Sequence, residues 1–210
     1  EKFVLTCGNK TDFFRGVALL CRYADEKELS ISEFARFEKC GLMPDCSRNA
    51  VLTVDTVKYM LRRMALSGLN LMMLYTEDTY TVPERPYFGY LRGRYTFEEM
   101  KEMDDYADML GIEMIPCIQT LAHLERALQW PAMDGYRDTD DVLLTGEHEP
   151  KTYEFIRECI RAASAPFRSR RIHIGMDEAY WMGRGVYLNK YGYASKVELM
   201  RTHLKLVKEI

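Results

Sequence analysis

Two adjacent carboxylates, Asp177 and Glu178, stand just beyond the end of an apolar, β-branched stretch. That stretch contains Ile172 and Ile174 and passes through Gly175, as a buried strand would. Two carboxylates in a confined site drive their pKa values apart, so one can be a protonated acid beside an ionised partner. Because neighbouring residues at a strand end point in different directions, separate tasks are predicted for these two. A solvated acidic strand end is the alternative interpretation of this acid pair.

Polar residues follow three other apolar stretches in the same way. They are Asp45 and Arg48, Glu77 and Asp78, and Gln119 and His123. Catalytic groups at the carboxyl ends of several parallel strands are typical of a (β/α)8 barrel. These residues are therefore predicted to lie with the acid pair at the rim formed by the strand ends. His123 and His173 with the acid pair could also form a mixed nitrogen and oxygen metal site. No HxH or HExxH spacing supports such a site.

Strands and helices alternate along the stretches that must position these residues. Apolar runs bounded by turn residues predict strands at 3–6, 41–49, 70–75, 112–119 and 171–175. Apolar residues at helical spacing predict a first helix capped by Thr11 or Asp12, and further helices at 53–66, 96–110, 152–162 and 196–210. Thr96 and Glu99 predict a capping box, and Gly111 predicts the end of that helix.

Near-continuous apolar strands joined by helices indicate an α/β fold with a parallel sheet. The chain has neither GxGxxG nor GxxxxGK[ST], which counts against a nucleotide-binding sheet and favours a (β/α)8 TIM barrel. Since such a barrel takes about 250 residues, residues 35–210 are predicted to hold about its first four βα units. Residues 1–34 are predicted to be the C-terminal part of a small α/β domain plus a linker. The chain is thus expected to be the N-terminal portion of a larger enzyme, inactive alone and prone to self-association through its exposed interior.

Composition excludes several classes of function. The formal net charge of −3 leaves no electrostatic footprint for nucleic acid or an anionic membrane. The sequence has no apolar run of about 18 residues, and its opening residues, EKFVLTCGNK, are not expected to be a signal peptide. The six cysteines show no CxxC spacing, so a zinc cluster and a disulfide framework are not expected. Reduced thiols used as small core residues are predicted instead, and they point to a cytoplasmic setting.

The segment TEDTYTVPERPYFGYLRGRYT at 76–96 interleaves aromatic rings with arginines. Such a loop would suit a sugar, although it could equally cover the mouth of a barrel. The residues alone therefore leave three functions open: a hydrolase using acid–base chemistry, a metal-dependent barrel hydrolase, and a non-catalytic carbohydrate-binding barrel module.

HIGMDE at 173–178 resembles the H-x-G-x-D-E signature of glycoside hydrolase family 20, the β-N-acetylhexosaminidases. GLMPDCSRNAV at 41–51 resembles the first barrel strand of that family. The sequence resembles a bacterial branch of the family more closely still, through DCSRNAVL, YTEDTY, PYFGYLRGRY and PCIQTLAHL. Together these segments extend over essentially the whole chain in the family's order.

This resemblance implies exo-acting, retaining hydrolysis of terminal β-linked GlcNAc or GalNAc, in which the substrate's 2-acetamido oxygen forms an oxazolinium intermediate. It implies that Glu178 is the general acid/base and that Asp177 orients the acetamido group. It further implies substrate contacts from Asp45, Arg48, Glu77, Asp78 and His123. The expected partner is an N-acetylhexosamine-containing glycan, with no metal and no organic cofactor.

Two residues depart from the family pattern. Cys40 precedes Gly41, where many members have an arginine that grips sugar hydroxyls. Arg48 or an arginine of the 76–96 loop is the expected substitute. Met176 precedes the acid pair, where glycine is common, and this predicts a narrower pocket.

Overall fold

The computed structural model describes residues 3–210, and its first regular element is the helix α1, Lys10–Arg22. The cap is Asn9, whose side chain accepts from the Asp12 backbone N–H at 2.9 Å. The prediction that Thr11 or Asp12 caps this helix is therefore wrong, because the N-cap lies two or three residues earlier. The predicted strand at 3–6 is also wrong, because these residues form no regular structure and pair with no neighbouring strand.

A three-stranded parallel sheet lies at the centre of the molecule. Its strands are β1, Gly41–Leu42, β2, Leu71–Tyr75, and β3, Glu113–Cys117, in the order β1-β2-β3. The first strand is shorter than predicted, and only a single bridge from Asp45 to Tyr75 continues its pairing. The α/β class with a parallel sheet is thus confirmed.

The predicted fourth strand, 171–175, is only partly formed. It pairs with β3 through one parallel bridge between Cys117 and His173. The His173 N–H donates to the Pro116 carbonyl at 2.9 Å, and the Thr120 N–H donates to the Gly175 carbonyl at 3.0 Å. These bonds put the segment beside β3 and its end at the same rim as the ends of β2 and β3.

Helices connect the strands and cover one face of the sheet. They are α2, Val54–Leu66, α3, Phe97–Leu110, α4, Glu125–Leu128, α5, Pro150–Ser164, α6, Val186–Tyr191, and α7, Lys196–Lys208, with a 3-10 helix at Pro131–Tyr136. The predicted capping box of α3 is confirmed, and Gly111 ends that helix at a left-handed φ of 76°. None of the helices in residues 3–210 is long and apolar enough to span a membrane.

Alternation along the strands separates two faces. Met72, Leu74 and Met114 belong to the main hydrophobic core beneath the helices, which Ile172 and Ile174 also join. Successive residues of a strand point to opposite faces, so Tyr75, Cys117 and His173 lie on the face away from this core. Sequence could not assign His173 to a face, and its register with Cys117 now does so.

The cysteines only partly follow the prediction. Cys46, Cys117 and Cys159 are buried, whereas Cys7, Cys21 and Cys40 are exposed. All six are free thiols. The prediction of small core residues thus holds for three of the six.

His203 on α7 is fully buried, with 0% of its surface exposed. Its Nε2 lies 3.1 Å from the Thr120 carbonyl oxygen, and its Nδ1 lies 3.2 Å from the Tyr153 hydroxyl. Burial lowers the pKa of His203 from 6.5 to about 4, against the opposing effect of the Thr120 carbonyl. The folded state therefore holds this histidine neutral.

Acid is expected to destabilise the protein through this one residue. Because the folded-state pKa lies below the usual value, the stabilisation is complete above pH 6.5 and is lost as the pH falls towards 4. The loss should amount to about 3 kcal/mol of unfolding free energy. Urea unfolding across this pH range measures it, by comparing wild type with His203→Gln. His148→Gln, which replaces an exposed histidine, is the control. Parallel pH curves for wild type and His203→Gln would contradict the prediction.

Candidate active site

The acid pair faces a histidine from the next loop along the rim. His123 Nε2 lies 3.4 Å from Asp177 Oδ2 and 3.5 Å from Glu178 Oε2. His123 follows β3 and the acid pair follows the 171–175 segment, so the parallel pairing of these two stretches brings the residues together. The prediction that adjacent carboxylates point in different directions is wrong here, since both reach one imidazole nitrogen.

Backbone conformation explains this convergence. Glu178 has a φ of 53° and His123 a φ of 57°, both in the left-handed region that side-chain-bearing residues seldom adopt. The only other non-glycine residue of 3–210 in that region is Leu91. Such conformations cost on the order of 1–3 kcal/mol each and cluster at functional sites. The reversal at Glu178 turns its carboxylate toward the imidazole that Asp177 also faces.

Gln119, at the end of β3, holds Asp177 from the other side. Its Nε2 donates to Asp177 Oδ1 at 3.2 Å and to the Tyr75 hydroxyl at 3.0 Å. An ionised carboxylate only accepts hydrogen bonds, which fixes the orientation of the amide. Burial alone would raise the pKa of Asp177, but the Gln119 hydrogen bond and the nearby His123 outweigh it and lower that pKa below its usual value. Asp177 is therefore suited to act as the ionised partner.

The network continues from Gln119 to the first and second strands. The Tyr75 hydroxyl donates to Glu77 Oε1 at 3.1 Å, and the Arg48 guanidinium lies 5.0 Å from the centre of the Tyr75 ring. Arg48 Nε lies 2.5 Å from Asp45 Oδ2 and 4.0 Å from Glu77 Oε1. Burial raises the pKa of Glu77, which Tyr75 and Arg48 oppose. Arg48 stays 59% exposed, so its donors can meet a ligand from the rim.

Six of the seven predicted site residues thus form one connected group, and Asp78 does not join it. The Asp78 side chain is 1% exposed and lies 3.2 Å from Arg92 Nε. Arg92 also donates to the Ser47 carbonyl. The ion pair lies within the 76–96 loop, and the Arg92 bond to Ser47 ties that loop to the residues after β1. In this structure Asp78 therefore supports the loop and has no surface with which to contact a ligand.

The other arginines of that loop are also committed to structure. Arg85 pairs with Glu158 at 2.5 Å, and Arg94 donates to the Pro86 carbonyl at 3.1 Å. Tyr87 and Tyr90 remain exposed, whereas Tyr80, Phe88 and Tyr95 are buried. The arginines and three of the five aromatic rings of this loop therefore serve its own packing.

Tyr75 was absent from the predicted site, and Gln119 was noted only as a polar strand end. Both carry polar groups in otherwise apolar strands, which is the signal that could have identified them. Within residues 3–210 no group of three or more His, Cys, Asp or Glu side chains is arranged to hold a metal ion.

Gly175→Ala is expected to disrupt this site. A β-carbon at residue 175 would lie 2.4 Å from Gln119 Oε1 and 2.4 Å from the Ile118 carbonyl oxygen, at a φ of 45°. Gln119 would have to move away from Asp177, with a loss of about 2–4 kcal/mol in unfolding free energy. Urea denaturation measures this loss.

Gly93→Ala is the matched control for that substitution. Its φ is 61°, and no atom lies within 4 Å of the added β-carbon. It should therefore show only the backbone cost of about 1–2 kcal/mol. Equal losses for both variants would mean that the contact with Gln119 is unimportant.

Comparison with known proteins shows which family this chain resembles over most of its length. Residues 37–206 match "Glycosyl hydrolase family 20, catalytic domain". The human protein "Hexosaminidase D" is 30% identical over 125 residues, which are 56% of this chain and 25% of the human protein. This chain therefore spans about a quarter of that relative's length.

Two solved structures share the fold. A chitobiase from Flavobacterium johnsoniae superposes with a TM-score of 0.69 at 25% identity, over 85% of this chain and 31% of that one. An exo-β-N-acetylglucosaminidase from Vibrio harveyi, solved in complex with N-acetylglucosamine, gives 0.67 at 21% identity, over 83% and 34%. With most of its length matched by the family's catalytic domain and its acid pair gathered at one rim, this chain belongs to glycosyl hydrolase family 20.

Proposed function

We propose that the protein is an exo-acting β-N-acetylhexosaminidase and that this chain supplies the acid pair of its active site. The observation that carries the proposal is the convergence of Asp177 and Glu178 on His123, with Asp177 held by Gln119. Asp177 is thereby kept ionised in a fixed position, and Glu178 stands beside it at the same rim.

The proposed reaction is substrate-assisted and retains the anomeric configuration. The 2-acetamido oxygen attacks the anomeric carbon while Glu178 protonates the departing glycosidic oxygen, which leaves an oxazolinium ion. Asp177 accepts the acetamido N–H and offsets the developing positive charge, a role that suits its lowered pKa. Glu178, now ionised, takes a proton from water, and that water opens the oxazolinium ion and restores the acetamido group.

The surrounding residues have supporting tasks in this proposal. His123 contacts both carboxylates and would restrict their rotation around the bound sugar. Arg48, anchored by Asp45 and near Glu77, would donate to sugar hydroxyls from the rim. In this proposal Arg48 takes over the task of the family arginine, whose position Cys40 occupies in this chain. The glycan partner is one with a terminal N-acetylhexosamine.

We further propose that residues 35–210 form about the first four βα units of a TIM barrel, and residues 1–34 the end of a preceding domain. Leu42, which pairs with Met72 and lies on the helix side of β1, is 43% exposed. His173 and Met43, which is 52% exposed, lie on the face of the sheet opposite the helices. Further strands would cover this face and complete the sugar pocket. Without them, these apolar residues would favour self-association.

The 210-residue chain alone is therefore expected to be inactive. The acid pair would have no opposing pocket wall, and Asp177 and Glu178 are already 58% and 56% exposed to water. Release of 4-nitrophenol from its N-acetyl-β-glucosaminide measures activity, with the whole protein at the same concentration as the control. Comparable turnover by the two would show that the described residues suffice.

The experiment that tests the proposed function compares two substrates of the whole protein. 4-Nitrophenyl N-acetyl-β-glucosaminide should be hydrolysed, whereas 4-nitrophenyl β-glucoside, which lacks the acetamido nucleophile, should not. Equal hydrolysis of both would exclude the substrate-assisted reaction. Binding of GlcNAc without any turnover would point to a carbohydrate-binding module, and loss of activity with a chelator would point to a metal-dependent hydrolase.

A further inference from the structure

His203 lies behind the candidate active site, at the inner face of α7, in a directed chain of hydrogen bonds. The Gly146 N–H donates to the Tyr153 hydroxyl at 3.1 Å, and that hydroxyl lies 3.2 Å from His203 Nδ1. His203 Nε2 lies 3.1 Å from the Thr120 carbonyl oxygen. Tyr153 is also buried, so water does not compete for these bonds.

Only one tautomer satisfies every partner in this chain. A carbonyl oxygen can only accept, so Nε2 must carry the proton and donate to Thr120. Nδ1 is then a bare acceptor, and the Tyr153 hydroxyl donates to it while accepting from Gly146. The direction of each bond is therefore fixed from the 145–146 loop to Thr120.

Thr120 in turn holds the segment that carries the acid pair. Its hydroxyl donates to the Ile174 carbonyl at 2.7 Å, and its N–H donates to the Gly175 carbonyl at 3.0 Å. The neighbouring residue, Gln119, donates to Asp177. Thr120 therefore links His203 directly to the Ile174 and Gly175 carbonyls, and through its neighbour Gln119 to Asp177.

We propose that His203 is a positioning residue for the acid pair: by fixing the Thr120 peptide, it sets where the 174–175 backbone ends and where Gln119 meets Asp177. This proposal rests on the proposed function for its kinetic readout. His203 touches no reacting atom. Its contribution is the placement of Asp177 and Glu178, to which transfer of the acetamido oxygen and the proton is sensitive.

The test uses two substitutions of His203 in the whole protein. His203→Leu keeps an apolar side chain in the buried site but removes the donor to Thr120. His203→Gln keeps an N–H at the distance of Nε2. With 4-nitrophenyl N-acetyl-β-glucosaminide, His203→Leu should lower kcat by about tenfold or more with little change in KM, because misplacement by about 1 Å can cost on the order of a hundredfold. His203→Gln should restore most of kcat.

Val207→Ala is the control for a general weakening of α7. Val207 is buried one turn further along the same helix, in the main core and away from Thr120. It should lower the thermal midpoint without lowering kcat. A wild-type kcat in His203→Leu, an equal loss of kcat in Val207→Ala, or no recovery in His203→Gln would each overturn the proposal.

Two further measurements keep the test decisive. Tyr153→Phe serves as the test if His203→Leu does not fold. It removes the donor to Nδ1 without altering residue 203, and it should also lower kcat, by a smaller factor. Amide hydrogen exchange of residues 174–178 should be faster in His203→Leu and Tyr153→Phe than in Val207→Ala. If the wild type proves inactive, the proposed function fails, while unchanged exchange in these variants would overturn the positioning role separately.

Discussion

Glu178→Gln in the whole protein is expected to abolish most hydrolysis of substrates whose leaving group is poor. Glutamine keeps the size of the side chain but cannot give a proton to the glycosidic oxygen. General acid catalysis is worth roughly 10²–10⁴-fold, so kcat/KM for phenyl N-acetyl-β-glucosaminide should fall by about that factor. For the 2,4-dinitrophenyl analogue the fall should be much smaller, because that leaving group departs without protonation.

The dependence on leaving group is the informative part of this experiment. Glu178 is 56% exposed and makes no buried contact, so the substitution should leave the thermal midpoint nearly unchanged. Glu125→Gln, in the first turn of α4, is a control for loss of an exposed acid near the same rim. Equal losses of kcat/KM for the two substrates would contradict the assignment of Glu178 as the proton donor.

Asp177→Asn is expected to impair both substrates alike. The asparagine still accepts from Gln119, but it carries no charge to offset the positive charge that develops on the acetamido group. Loss of one such electrostatic contact costs about 10²–10³-fold, and here it should appear for the 2,4-dinitrophenyl substrate as strongly as for the phenyl substrate. Because the pKa of Asp177 is lowered, the wild type should keep this contribution down to pH values below those at which an ordinary aspartate protonates.

A stable mimic of the intermediate separates the two carboxylates further. A thiazoline analogue resembles the oxazolinium ion and should bind the wild type tightly. Asp177→Asn should weaken that binding strongly, whereas Glu178→Gln should weaken it less. Titration calorimetry measures both. If Asp177→Asn bound the thiazoline as tightly as wild type, Asp177 would have no role at the acetamido group.

Sequence predicted those parts of the molecule that depend on local signals. The capping box of α3 and its end at Gly111 follow from residue types that satisfy helix termini, and both are confirmed. The strand at 70–75 was recognisable because a strand buried on both faces is apolar throughout. The rim was recognisable because parallel strands deliver their carboxyl ends to one edge.

The remaining features depend on tertiary contacts or on unfavourable local conformations. Glu77 and Asp78 are adjacent and chemically alike, yet only the pairing with Arg92 decides that Asp78 is buried away from the site. The left-handed backbone at Glu178 opposes its residue type, so no propensity predicts it. The 171–175 segment has a strand's sequence, but its pairing with β3 consists of one bridge and a few backbone hydrogen bonds, which depend on tertiary contacts that the sequence does not show.

The left-handed backbone at His123 and Glu178 also bears on how this protein would respond to engineering. At both positions glycine would fit the left-handed backbone without strain, so replacing either residue with glycine should raise stability while removing the side chain that the proposed reaction needs. A screen that rewards heat resistance alone would thus tend to replace the two residues proposed to face the sugar. Directed evolution of a hardier enzyme should therefore select for turnover at every round, or hold these two positions fixed.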